Sequence, residues 1–340
     1  MDNTPVILPI SAVLPTRNRP LVLRRCLESL TTQGIFPAEL IIVDGSTDSA
    51  SRRSVEDWAT QVPSGCAVLW QRAKNLGAAI QRNQGVETAT QPFIWFFEDD
   101  ILFEPECLNR LWIALQSDSQ LGGVNAMIVN QQYNLPGLVS RLMFTLMHGR
   151  REESFAGRVL GPAINLLPED HAHLPEVVPV EWLNLGSTIY RREALPSPPF
   201  DAMFTGYSLM EDLALSLKVG RSWKLANVRT ARIYHDSQPS DYKSDVGEMA
   251  SMQLINRHYV MTEILHRQSI RDYLRLIVWE FFQLSVCAAR SQSRPQLWAT
   301  CRGKLDALRQ IFFGLFRRPP ISDVDALLNV VTPKKRKQKS

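Results

Sequence analysis

Three consecutive carboxylates, Glu98, Asp99 and Asp100, follow directly on the aromatic run Phe93-Ile94-Trp95-Phe96-Phe97. Like charges at the exit of a buried strand repel one another and resist desolvation, so they need a cation or hydrogen-bond donors to neutralise them. A divalent metal does so naturally, and a hard, oxygen-ligated ion such as Mg2+ or Mn2+ also takes the oxygens of a diphosphate. The alternative is a solvated acidic loop ahead of a helix starting at Pro105, where the helix dipole favours negative charge. Two other loops carry polar groups suited to a nucleotide: Pro15-Thr16-Arg17-Asn18-Arg19-Pro20 and Val43-Asp44-Gly45-Ser46-Thr47-Asp48. An acid such as Asp44 at a strand end accepts hydrogen bonds from a ribose hydroxyl or a base, while arginine and loop amides face phosphate. Turn chemistry with an N-cap at Ser46 or Asp48 is the plainer reading of the second loop.

The elements that must position these loops are readable from periodicity. Apolar runs over 10–14, 40–43, 68–71 and 93–97 read as strands, and 20–32 and 105–116 as helices, the alternation of βαβ units around a parallel sheet. Ligands of such sheets lie beyond the carboxyl ends of the strands, which is where the polar loops fall. The stretch 131–180 reads as irregular, with scattered Pro and Gly and the cluster Glu169-Asp170-His171-Ala172-His173, the composition of a lid or acceptor loop. Short strands return over 181–235 with one helix beginning near Met210, and from about 250 the pattern is helical. The end, 331–340, contains Lys334-Lys335-Arg336-Lys337 and reads as a disordered basic tail. No internal repeat is present.

The 340 residues suffice for one large domain with an appendage, and 45% hydrophobic against 21% charged residues is far from the composition of disorder. The net charge of +4 conceals an asymmetry, because residues 251–340 carry sixteen Lys or Arg against six Asp or Glu. A basic C-terminal part suggests an anionic surface as partner. Around 298–315, apolar residues at Trp298, Cys301, Leu305, Leu308, Phe312 and Leu315 keep helical period, with Arg302, Lys304 and Arg309 on other faces and Arg317-Arg318 following. Such a helix can lie in an anionic membrane interface or pack on the core with its basic residues solvated. The longest apolar run, 276–289, is shorter than a bilayer span and is interrupted by Glu280 and Gln283, so it reads as a helix face. Five cysteines, scattered and without C-x-x-C pairing, imply neither a disulfide framework nor a zinc site. With no secretion signal legible at Met1-Asp2-Asn3-Thr4-Pro5, the expected location is cytoplasmic, peripheral on the inner face of the membrane if the C-terminal helices dock there. No nucleic-acid partner is expected.

Four elements occur in order over about a hundred residues: the P-T-x-N-R-type loop at Pro15, the V-D-x-S-x-D-type loop at Val43, Asn75-Leu76-Gly77 with Arg82-Asn83-Gln84-Gly85, and the acidic motif ending in Asp100. Together they make the chain resemble the family 2 glycosyltransferases of the GT-A type. The resemblance is good over residues 8–240 and loose beyond. It implies an α/β fold of the GT-A kind, with a Rossmann-like, mostly parallel central sheet flanked by helices and a C-terminal helical extension. The implied division is a catalytic domain over 1–240, with a donor half at 8–130 and an acceptor half at 131–240, then a helical region over 241–330. The resemblance also implies a nucleotide-diphosphate sugar donor, a carbohydrate or lipid-linked acceptor, and Mn2+ or Mg2+ as cofactor.

Carried onto this sequence, the resemblance places Pro15, Thr16, Arg17, Asp44, Asn75, Arg82 and Asp99 in the nucleotide and donor pocket and Asp100 on the metal. Glu98, where many relatives have Asp, is not counted as a ligand. Gly206-Tyr207-Ser208-Leu209-Met210-Glu211-Asp212 resembles the family's E-D motif, in which the Asp is the general base. An acceptor hydroxyl is a poor nucleophile until a carboxylate takes its proton, whereas the plain alternative is an acidic helix N-terminus. Ile233-Tyr234-His235-Asp236 resembles the strand whose His completes the metal site, and an imidazole ligand leans the choice towards Mn2+. Glu211 and Trp182 fall to the acceptor side, Trp182 either stacking on a sugar ring or packing in the core. The Q-x-x-R-W motif of processive synthases is missing, since Gln253 and Arg257 are wrongly spaced and His258 follows. A single inverting transfer per acceptor, in bacterial-type surface polysaccharide or glycolipid assembly, is therefore expected. A sugar-1-phosphate nucleotidyltransferase is disfavoured by the lack of a Gly-rich loop after the first strand. The remaining rival is a non-catalytic nucleotide-sugar-binding or membrane-scaffolding protein of the same fold.

Overall fold

A computed structural model describes residues 5–238 and 245–316. The expected basic tail over 331–340 and Arg317-Arg318 lie outside the described residues. The first half alternates as anticipated: β1 (Val6–Thr16), α1 (Pro20–Thr31), β2 (Ile35–Asp44), α2 (Ala50–Ala59), β3 (Ala67–Arg72), α3 (Ala78–Thr88) and β4 (Phe93–Phe97). There follow β5 (Ile101–Phe103), α4 (Cys107–Ser117), β6 (Leu121–Ile128), α5 (Leu138–His148), the short β7 (Val159–Leu160) and β8 (Ile164–Asn165), β9 (Val177–Val180) and β10 (Ser187–Arg191). The last elements are α6 (Glu211–Val219), β11 (Lys224–His235), α7 (Val246–Tyr259), α8 (Ile270–Ala289) and α9 (Leu297–Phe316).

The main sheet runs β3-β2-β1-β4-β10-β6-β11-β5, with β9 on the edge of β11. Strands β3, β2, β1 and β4 are mutually parallel. Strand β10 is antiparallel to both β4 and β6, and β11 is parallel to β6, so β6 and β11 point the same way as β4. The carboxyl ends of β1, β4 and β11 therefore emerge on one edge. Two apolar layers cover the sheet: Leu14, Leu27, Trp95 and Leu111 belong to one, and Val13, Phe96, Tyr190 and Phe204 to the other. Successive residues of β1 and β4 thus feed opposite layers, which is why both strands read as unbroken apolar runs rather than alternating ones.

Within 131–180 the irregular reading is corrected by α5. Its ends are marked by Gly137 at the N-cap and by Gly149 in the left-handed conformation (φ 90°), whose N–H donates to the Thr145 carbonyl. The glycines that suggested irregular chain are this helix's punctuation. Helix α9 packs on α7 where Gly303 meets Gly247 so closely that a Cβ at Gly303 would lie 2.0 Å from the Gly247 carbonyl oxygen. Lys304 is buried against Glu280 rather than solvated, while Trp298, Leu305, Leu308 and Phe312 face outward, so α9 combines the packed and the exposed readings. All five cysteines are free. Among the described residues no helix is long and apolar enough to cross a membrane.

Candidate functional site

At the shared carboxyl edge lies a cavity of about 480 Å³. Strand β1 delivers Pro15, Thr16 and the loop residues Arg17 and Arg19; β4 delivers Glu98, Asp99 and Asp100; β11 delivers His235; and the start of α6 delivers Glu211 and Asp212. All of these line the cavity. The Thr16 hydroxyl donates to Asp99 Oδ2 at 2.7 Å, and Arg19 Nη1 lies 3.3 Å from Asp99 Oδ1 and 3.4 Å from Asp100 Oδ2. Burial, reinforced by the neighbouring Asp100 and opposed by Arg19, lifts the Asp99 carboxyl to a pKa of about 7.

His235 Nε2 is 3.2 Å from Asp100 Oδ1 and 3.9 Å from Glu98 Oε2, and Gln131 holds the ring from its Nδ1 side at 3.1 Å. One ligand atom from each of Glu98, Asp100 and His235 lies within 4.8 Å of the others. Two carboxylate oxygens and an imidazole nitrogen, converging in a cavity, form a donor set that fits Mn2+ and accepts Mg2+. Glu98, not counted as a ligand from sequence, is thus brought to this trio, because the turn out of β4 points its carboxylate toward the end of β11.

The lead-in to α6 is pinned to the start of α3. Gly77, at φ 137°, approaches Gly206 so that a Cβ would lie 3.2 Å from the Gly206 nitrogen, and the Ala78 amide donates to the Gly206 carbonyl at 3.4 Å. Ser208 and Met210 both adopt left-handed conformations (φ 58° and 70°), a cost borne at the turn that aims Glu211 and Asp212 inward. The docking brings Arg82 of α3, 1% exposed, between Glu98 Oε1 at 3.0 Å and Glu211 Oε1 at 2.9 Å. Burial pushes the Glu211 and Asp212 carboxyls above the usual carboxylate range, each against the pull of Arg82. Because Arg82 compensates two acids, Arg82→Met should lower the unfolding free energy in urea by about 3 kcal/mol. Arg82→Lys should recover part of that; equal stability of Arg82→Met and the parent would refute the compensation.

Three sequence assignments do not reach the cavity. Asp44 is fully buried below it, its Oδ1 accepting from the Ser46 amide at 2.8 Å and its Oδ2 from Trp70 Nε1 at 3.1 Å. Asn75 is exposed and outside the lining. Trp182 packs in the core, 5% exposed, with its Nε1 donating to the Leu166 carbonyl at 2.8 Å, the arrangement of the core alternative. Conversely, Arg19, Gln81, Gln253 and Arg257 line the cavity unassigned. Gln81 donates to the Thr16 and Val43 carbonyls at 3.1 and 2.8 Å, tying α3 to the ends of β1 and β2. Gln253 and Arg257, dismissed on motif spacing, are four apart on α7 and so share a helix face.

Residues 11–158 match the family model described as Glycosyl transferase family 2. This part of the chain is similar to glycosyltransferase family 2. The chain is 33% identical over 119 residues to YibD, an uncharacterized glycosyltransferase of Escherichia coli K12, covering 34% of this chain and 33% of that one. It is 34% identical over 112 residues to an uncharacterized glycosyltransferase of Haemophilus influenzae, covering 33% and 36%. The matched stretch spans about a third of the length of these relatives. The fold as a whole is similar to that of a mannosyltransferase, PcManGT from Pyrobaculum calidifontis, solved in complex with GDP-Man and Mn2+. That likeness has a TM-score of 0.51 at 15% identity and covers 91% of this chain and 79% of the other, and it establishes a GT-A architecture for the fold.

Proposed function

We propose that this protein is a metal-dependent, inverting glycosyltransferase that moves one sugar from a nucleotide-diphosphate donor to an acceptor hydroxyl, in the assembly of a surface polysaccharide or glycolipid. The observation that carries the reading is the presence in one cavity of the Glu98, Asp100 and His235 trio, four arginines, and Asp212 at the start of α6. Arg17, Arg19 and Arg257 supply positive charge for a diphosphate, and Thr16 and Asp99 sit where a ribose or the sugar would lie. Glu98, Asp100 and His235 would hold a divalent cation, which when bound neutralises the departing nucleotide diphosphate.

Asp212 takes the proton of the acceptor hydroxyl as its oxygen bonds to the anomeric carbon. The bond from that carbon to the diphosphate oxygen breaks with its electron pair, and the single displacement inverts the configuration. Glu211, held by Arg82, fixes the start of α6 and borders the acceptor side. A non-catalytic binder would have no use for a carboxylate whose proton affinity burial has raised at this place.

A thermal-shift panel of UDP-, GDP- and dTDP-sugars, with GDP-mannose among them, tests the reading. One nucleotide class should raise the melting temperature only when Mn2+ or Mg2+ is present. With that donor and a suitable acceptor, mass spectrometry should find one added sugar; a ladder of products would contradict single transfer, and no nucleotide-dependent shift at all would remove the donor site.

A further inference from the structure

Helices α5 and α8 each turn apolar side chains in two directions. Inward, Phe144 of α5 packs on Trp279 of α8 with ring centroids 6.3 Å apart, in a cluster that includes Met147, Phe155 and Leu160. Outward, Leu138, Val139, Leu142 and Leu146 of α5 are exposed, Leu138 by 79%. On α8 the outward set is Ile270, Leu274, Ile277 and Phe281, Ile270 by 82%. Both sets follow helical spacing, so each is a continuous stripe, and the inward packing holds the two helices side by side. An amphipathic helix on a monomer's surface shows water its polar face; these two show an apolar one.

We propose that the outer faces of α5 and α8 form a monotopic docking surface for an anionic lipid bilayer. Charge selects this occupant. Arg141 on α5 and Arg271 and Arg275 on α8 belong to the same helices, while α5 carries no acidic residue. Of the two acids on α8, Asp272 is engaged in the capping box with Ser269. The other, Glu280, is paired inward with Arg257 and Lys304. The segment 251–340, to which α8 belongs, carries in all sixteen basic residues against six acidic ones. Arginines beside an apolar stripe suit a leaflet of anionic headgroups. A two-fold contact with a second copy would instead set like-charged rims against each other.

The surface adjoins the site. Arg257, which lines the cavity, lies 3.3 Å from Glu280 of α8 and 5.9 Å from the Trp279 ring. The helix that turns one face to the bilayer thus holds, on its other face, an arginine that lines the cavity, which brings a lipid-linked acceptor near the edge where Asp212 waits. That last step rests on the function proposed above, whereas docking itself does not. The location differs from the one expected on α9, whose packing against α7 through Gly303 makes it part of the fold.

Vesicle flotation of the full chain, without donor or acceptor, tests docking separately from transfer. The protein should float with vesicles of equal parts phosphatidylglycerol and phosphatidylcholine, less so as salt rises, and stay unbound with phosphatidylcholine alone. Leu142→Glu/Ile277→Glu should lower partitioning by at least about tenfold. The neutral pair Leu142→Gln/Ile277→Gln should lower it by less, and a control pair far from this face, Val6→Glu/Ile113→Glu, should leave it unchanged. Near-UV circular dichroism and the nucleotide-induced thermal shift verify the fold of each variant. The proposal is overturned if the parent chain ignores anionic vesicles or if the paired Glu variant floats as the parent does. It is equally overturned if sedimentation finds a parent dimer that the Glu variant dissolves, which would assign the face to a second copy.

Discussion

Asp212→Asn should lower kcat by about 10²- to 10⁴-fold, the range contributed by a positioned general base, and leave donor binding within a few-fold of the parent. The amide keeps the shape of the carboxylate and the contact of its oxygen with the Leu213 amide, 2.7 Å from Asp212 Oδ1, but cannot accept the acceptor's proton. The loss should therefore fall on kcat, with the nucleotide-induced thermal shift preserved. Burial first, and the nearby Glu98 carboxylate with it, raises the Asp212 carboxyl above the ordinary aspartate range. The sign follows: the base is competent above that raised pKa and is protonated below it. The rate of the parent enzyme should fall on acidification with a midpoint above that of an ordinary aspartate, and the residual rate of Asp212→Asn should lose that limb. An unchanged kcat, or an acid limb that survives in the variant, would remove Asp212 from the role of base and return it to helix capping.

Asp100→Ala should abolish the dependence of nucleotide binding on a divalent cation and reduce kcat/KM by about 10³-fold or more, since cation stabilisation of a leaving diphosphate is worth several kcal/mol. Asp100 is the most buried of the three ligand candidates and the one in direct contact with His235, so its carboxylate is the centre of the trio. Calorimetric titration provides a readout independent of turnover: the parent chain should bind Mn2+ together with a nucleoside diphosphate, and Asp100→Ala should bind the nucleotide weakly and equally with and without metal. His235→Ala should show the same pattern in milder form. Glu98→Gln separates the roles further, because Glu98 also pairs with Arg82 at 3.0 Å and its loss should touch stability as well as metal affinity. Should a chelator leave binding and turnover intact, the acidic turn after β4 would be a charge partner for Arg19 and Arg82 rather than a metal site.

Reading the chain in one dimension reaches whatever depends on neighbours in sequence. The strand 93–97 and the acids after it were legible because a fully buried parallel strand must be apolar on both faces, so its last residue and the polar turn beyond it stand out. The loop at Pro15 to Arg19 was legible for the same reason, whereas the acidic start of α6 was legible through its resemblance to the family's E-D motif. Helix α5 was not, because Gly137 and Gly149 mark either helix ends or irregular chain, and spacing alone does not decide between them.

The fold class and the local chemistry at each strand end thus follow from residues close together in the chain. The tertiary structure decided the company those groups keep. Arg82 and Glu211 are 129 positions apart, and only the docking of α3 against the turn at Gly206 makes them a pair. His235 reaches Asp100 because β5, which follows the acidic turn, pairs antiparallel with the end of β11 and sets His235 opposite Ile101, the neighbour of Asp100. Asp44 and Trp182 lie outside the cavity lining for the converse reason: each has an internal hydrogen-bond partner, Trp70 and the Leu166 carbonyl, and is buried. A residue's type fixes which interactions it can make, but whether it spends them on a ligand or on its own protein depends on partners far along the chain.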